Sequence, residues 1–183
     1  MNLYIEDIKR FEPQAVNKQA LTKQELEQIA FVLTQQPNRQ YEILFHLLMS
    51  NGMWIGEVFS IDGNNIQDEY VYIKNEKQKG GSRSQRLAYL NPYIKQLISK
   101  HKFKLKQNKV RAAFVAIEKL MKLHYPSFNK PLSPHILRYT FATVMYENNI
   151  PLPTISKLMG HANAELTMNT YVRDNPTIQI KIF

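Results

Sequence analysis

The chain has 183 residues, 24 Lys and Arg against 15 Asp and Glu for a formal charge of +9, and no cysteine. Without a thiol there is no disulfide framework, no Cys-based zinc finger and no cysteine nucleophile, so neither stability nor chemistry rests on sulfur. No run approaches the ~20 apolar residues of a membrane span, and Met1 to Asp7 lacks the charged-then-apolar profile of a signal peptide. The chain therefore reads as soluble and cytoplasmic, with no membrane contact, and its positive excess points to a polyanionic partner, most simply nucleic acid.

Residues 1–20 carry mixed charge and Pro13 with weak periodicity, and read as a linker or N-terminal arm. One domain is expected over 21–175, and 44% apolar residues are enough to give it a core. Thr22-Lys23-Gln24-Glu25 is a capping box ahead of Leu26, Ile29, Ala30 and Leu33, which predicts a helix to about Gln36. Pro37-Asn38 breaks it, and Tyr41, Leu44, Phe45, Leu48 and Met49 form a second helical stripe that ends at Asn51-Gly52.

From Ile66 to Leu90 the period changes. Tyr70–Ile73 and Arg86–Leu90 are β-favouring and flank a Lys79–Ser82 turn, which predicts a small antiparallel sheet with a basic hairpin. Asn91-Pro92 supplies a cap and first-turn proline for a helix to about Lys106, and Val110–Leu123 continues as another, both with basic outer faces. Ser133-Pro134 opens a helix that closes at Asn148-Asn149, a short helix after Pro153 ends at Gly160-His161, and Asn163 caps a last helix through Tyr171. Ile178, Ile180 and Ile182 alternate as a terminal strand, so 176–183 reads as a tail strand. The expected class is mainly α with a small antiparallel β-sheet (α+β).

Polar functional groups collect in the last third. His135 and Arg138 lie three apart on one helix face, with His135 in the first turn where the dipole favours an anion. The pair is a candidate phosphate site, or else a cap-region histidine beside a solvated surface arginine. His161 after a glycine and Tyr171 in a short helix are, taken singly, more often structural.

Together they match a pattern. Pro134-His135-Ile136-Leu137-Arg138-Tyr139-Thr140-Phe141-Ala142-Thr143, then Leu158-Met159-Gly160-His161, then Tyr171 ten residues on, resembles the catalytic domain of tyrosine recombinases of the phage integrase family. That pattern is His-x-x-Arg-His-Thr-Phe-Ala-Thr, Leu-Gly-His and a nucleophilic tyrosine. Upstream, Asn51-Gly52-Met53-Trp54-Ile55-Gly56-Glu57-Val58 resembles the family's Thr-Gly-Met-Arg-Ile-Gly-Glu-Val box, with Trp54 where the first catalytic arginine belongs. Arg86–Leu90 fits loosely the strand that follows the catalytic hairpin lysine. Lys79 is the choice for that lysine and Lys77 the rival, because alternation points both to one side.

The resemblance implies site-specific cleavage of double-stranded DNA, with Tyr171 attacking a phosphate to give a 3′-phosphotyrosine that a 5′-hydroxyl later reseals, without metal, cofactor or small-molecule substrate. It makes Arg138 a phosphate clamp, His135 and His161 phosphate ligands or proton carriers, and the hairpin lysine the acid for the leaving oxygen. An indole for a guanidinium removes one preorganised donor, which costs roughly 3 to 4 kcal/mol or about 10²–10³ in rate. The expectation is a chain that binds DNA and cleaves it poorly. The alternative is a decayed recombinase that regulates by binding alone. A helix-turn-helix repressor leaves the His, Arg, His, Tyr set without a use, and a relaxase would need a His-x-His metal motif that none of the five histidines forms.

Such proteins normally carry a second, core-binding domain, for which 183 residues leave no room, so a fragment or shortened form is expected. It would be monomeric or weakly associated alone, bind DNA weakly, and form a tetramer at the nucleoid on its site.

Overall fold

The protein is described here by a computed structural model that covers residues 20–61, 66–74 and 85–160. The capping box at Thr22 closes in both directions, with Glu25 N donating to Thr22 Oγ1 (3.2 Å) and Thr22 N to Glu25 Oε2 (2.7 Å). It launches α1 (Lys23–Thr34), which turns Ile29, Val32 and Leu33 inward. Helix α2 (Gln40–Asn51) buries Glu42, Ile43, Leu44, Phe45, Leu47, Leu48 and Asn51, most of its circumference, because it is the central helix of the domain. It packs against α1, α6 (Pro134–Glu147) and α4 (Pro92–His101). A one-turn helix, α3 (Ile55–Val58), follows the end of α2.

The sheet has three antiparallel strands in the order β1 (Ile66–Gln67), β2 (Tyr70–Lys74), β3 (Gln85–Tyr89). Its register pairs Val71 with Ala88 and Ile73 with Arg86. Val71, Ile73 and Ala88 face the core while Tyr70, Tyr72, Leu87 and Tyr89 face outward, the period-2 split a half-buried sheet requires. The turn expected at Lys79–Ser82 lies outside the described residues, as do the helix expected to end at Tyr171 and the tail strand.

Asn91 caps α4 by accepting from Ile94 N (2.9 Å), but the helix ends at His101, five residues before the expected Lys106. The reason is tertiary. Lys102 takes a positive φ of 47° and ends the helical run. The side chain of Gln40, far away in sequence, then clips the segment that follows: its Nε2 donates to Lys102 O (2.9 Å) and its Oε1 accepts from Lys104 N (2.6 Å) and Leu105 N (3.1 Å). A 3₁₀ turn at Gln107–Lys109 leads into α5 (Val110–His124), which buries Val110, Ala113, Phe114, Ile117 and Met121 against α1.

Ser133 caps α6 by accepting from Ile136 N (3.2 Å), with Pro134 in its first turn. Tyr139, Phe141 and Ala142 of α6 make a second apolar cluster with Ile155 and Met159 at α7 (Leu152–Leu158). Buried Thr140 Oγ1 accepts from Leu21 N (3.0 Å), and Lys130 Nζ donates to Ala20 O and Glu25 Oε2 (2.8 Å each), so the start of the described chain is fastened to the same end of the domain.

Candidate active site

Two elements converge to form the site. The first is the loop that leaves α2. Gly52 takes the left-handed conformation (φ 54°) that ends the helix, and a Cβ there would sit 2.5 Å from Phe141 Cδ1, so both backbone and space exclude a side chain. Met53 is buried beyond it. Trp54 then extends to cap α3, its N donating to Glu57 Oε2 (2.8 Å).

The second element is the start of α6, which carries exposed His135 in its first turn and Arg138 one turn later. Arg138 is only 4% exposed, which overturns the reading of a solvated surface arginine. Its Nη1 donates to Gly52 O and its Nη2 to Met159 O (2.8 Å). A fixed planar cation thus joins the α2 loop, α6 and the end of α7, two residues before His161 in the chain. The indole of Trp54 lies over the guanidinium, with Cζ 4.0 Å from the ring centroid, a cation–π contact. The Trp54 and His135 rings meet edge to face at 6.3 Å and 84°. Trp54, His135 and Arg138 therefore form one cluster. Lys77, Lys79, His161 and Tyr171 lie outside the described residues.

Beneath the cluster is an ion pair that sequence reasoning missed. Arg86 reaches from β3 to Glu57 in a two-pronged contact, Nε to Oε1 at 3.0 Å and Nη2 to Oε2 at 2.7 Å, and its Nη1 donates to Leu158 O (2.6 Å). Both side chains are largely buried, at 12% and 4% exposure. Strand alternation was the available signal: Arg86 shares the inward face with Ala88, and an inward-facing charge in a strand needs a buried counter-charge. Because Glu57 also accepts from Trp54 N, this pair fixes the backbone of the very loop that presents position 54.

The sequence profile of the phage integrase family matches residues 19–177. The chain belongs to the phage integrase family. Among relatives, the tyrosine recombinase XerS of Streptococcus gordonii is 26% identical over 137 residues, which are 66% of this chain and 38% of that protein. XerA of Saccharolobus solfataricus is 28% identical over 151 residues, 76% of this chain and 48% of that one. The chain thus spans less than half the length of these integrase relatives. Its fold is that of solved members: the Tn1549 transposon integrase in complex with a circular intermediate DNA superposes with a TM-score of 0.74 at 14% identity, over 93% of this chain and 66% of that one. The catalytic domain of bacteriophage HP1 integrase superposes at 0.62 and 16% identity, over 86% of this chain and 89% of that one. The fold is that of a tyrosine recombinase catalytic domain, mainly α with a three-stranded antiparallel sheet.

Chemically, the described cluster offers a buried guanidinium, an exposed imidazole and an indole. Among the described residues no group of three His, Asp or Glu side chains could hold a metal ion, and no helix is long and apolar enough to cross a membrane.

Proposed function

We propose that this chain is the catalytic part of a site-specific recombinase that cleaves and rejoins duplex DNA, with the chemical step depressed by the indole at position 54. The stacking of Trp54 on Arg138 carries the proposal. In this reading the Tyr171 phenol attacks the scissile phosphorus, the 3′ side of the break becomes a phosphotyrosine ester, and the departing 5′-oxygen takes a proton from Lys79 or its rival Lys77. Attack by a 5′-hydroxyl on that ester reseals the strand and returns the tyrosine, so no external energy source enters. Arg138, with His135 and His161, stabilises the charge that grows on the non-bridging oxygens.

The indole weakens this in two ways. It supplies no charged donor, and it covers one face of Arg138, the cation that remains. Arg86 is not a substitute, since the Glu57 carboxylate neutralises its charge, whereas the partners of Arg138 in these bonds are neutral carbonyls. Residues 1–20 act in this proposal as a linker or N-terminal arm, 21–175 as the catalytic domain and 176–183 as a tail strand, with a tetramer forming on DNA.

The test uses a pool of nicked suicide duplexes with randomised core sequence and reads covalent protein–DNA adduct on denaturing gels. The present chain is expected to give little adduct, Trp54→Arg about 10²–10³-fold more, and Trp54→Arg with Tyr171→Phe none. Rapid adduct from the unaltered chain overturns the impairment. Absence of adduct from Trp54→Arg overturns the catalytic reading and leaves a protein that acts by binding DNA.

A further inference from the structure

The charge of this chain is concentrated in one stretch. Eleven of its 24 Lys and Arg, and none of its 15 Asp and Glu, fall between residues 77 and 117, so the remaining 13 cations and 15 acids leave the rest mildly acidic. Within that stretch the segment after α4 is unusual. Phe103 and Leu105 pack against the core, Phe103 with its ring 5.6 Å from that of Phe59. Lys102, Lys104 and Lys106 alternate with them and are exposed. Apolar anchors between them therefore keep three lysines exposed within a few residues of chain.

Ordering of this segment is built in. Gln40 holds it by three hydrogen bonds to its backbone, and Lys102 is kept at a positive φ that a lysine rarely adopts. A basic segment kept only for solubility has no use for such fixation. The segment also leads to the candidate active site. At its far end Gln107 and Arg111 share a cleft with Ile55, Ser133 and Pro134, the residues that adjoin Trp54 and His135 in the chain.

We infer that Lys102, Lys104 and Lys106 form a rigid phosphate rail, which grips the backbone of one strand of duplex DNA and guides it toward the site at Trp54 and Arg138. The inference rests on the reading of the chain as a protein that acts on duplex DNA. Rail contacts go to phosphates, so they fix register and affinity without reading sequence.

The test measures binding of the full chain to a fluorescein-labelled 30-base-pair duplex by anisotropy, across a salt series. Replacing Lys102, Lys104 and Lys106 together by Gln is expected to weaken binding at least 10-fold and to reduce the slope of log K against log salt by between about two and three, since each neutralised phosphate contributes about 0.9. A control with the same loss of charge elsewhere, Lys23, Lys119 and Lys122 to Gln, is expected to change the slope by less than one. Gln40→Ala keeps every charge and is expected to weaken binding several-fold through loss of fixation. Circular dichroism checks that each variant is folded. Equal losses in the two triple variants, or none in the rail variant, overturn the inference, as does a Gln40→Ala protein that binds like the parent. Binding to phosphatidylserine vesicles without binding to the duplex overturns both this and the function it rests on. A rail that behaves as expected in a chain that never forms an adduct leaves the rail standing and removes only the catalytic reading.

Discussion

A guanidinium removed from water is held by what replaces its hydration, and at Arg138 the replacements are two backbone carbonyls and an aromatic face. Arg138→Met removes the charged donor from the carbonyls of Gly52 and Met159 in a buried site, a loss of about 1 to 2 kcal/mol for each hydrogen bond. A fall in unfolding free energy of roughly 2 to 4 kcal/mol is therefore expected in urea titration. A change below about 0.5 kcal/mol, the level of an ordinary surface substitution, would show that the residue holds nothing together. His135, exposed and one turn away, has no such structural duty in the geometry seen here, so its replacement by Gln should leave stability nearly unchanged. Two members of one motif thus differ in kind: Arg138 joins three pieces of chain, whereas His135 faces outward and is free to meet a ligand.

Between α2 and α4 lies a polar cluster inside otherwise apolar packing. Glu42 is fully buried and accepts from the Tyr93 hydroxyl, while Arg39 Nε lies 3.1 Å from its other oxygen, out of line for a hydrogen bond. The His46 ring meets Phe45 and Tyr93 edge-on, at 5.4 and 5.5 Å. Burial holds the His46 imidazole below its ordinary range, with the Glu42 charge opposing. Below about pH 6.5 the unfolded chain therefore takes up a proton that the folded one resists. The stabilisation from this site is complete above that pH and declines as pH falls toward the depressed value. In denaturant titrations between pH 7.5 and 5, His46→Gln should flatten the decline relative to the parent; parallel curves would refute it. Element ends were legible wherever a local cap set them, as at Thr22, Asn91 and Ser133. The end of α4 was not, because lysine and leucine suit a helix and the signal that stops it comes from Gln40, 62 residues away. At the site, motif spacing found Trp54, His135 and Arg138, but the Glu57–Arg86 pair needed strand register to be seen.

At the scale of the molecule, one ion pair does what the apolar core cannot: it fixes the relative placement of the sheet, α3 and α7 at the edge of the site. Arg86 on β3, Glu57 on α3 and the Leu158 carbonyl of α7 meet there. Glu57→Ala strands a buried guanidinium and is expected to cost about 3 to 5 kcal/mol, while pairing it with Arg86→Met should restore a large part, since an apolar pair carries no desolvation penalty. Thermal or urea unfolding of the two variants measures this, and a double variant no more stable than the single one would refute it. Residue 54 is held by this frame through its backbone amide, and Gly52 is locked against Phe141 without help from the indole. The backbone placement of residue 54 therefore comes from Glu57, while its indole packs on Arg138. A lineage could exchange arginine for tryptophan there, or revert, in one codon's change that leaves this backbone frame in place, so what such a change alters is the surroundings of the Arg138 guanidinium.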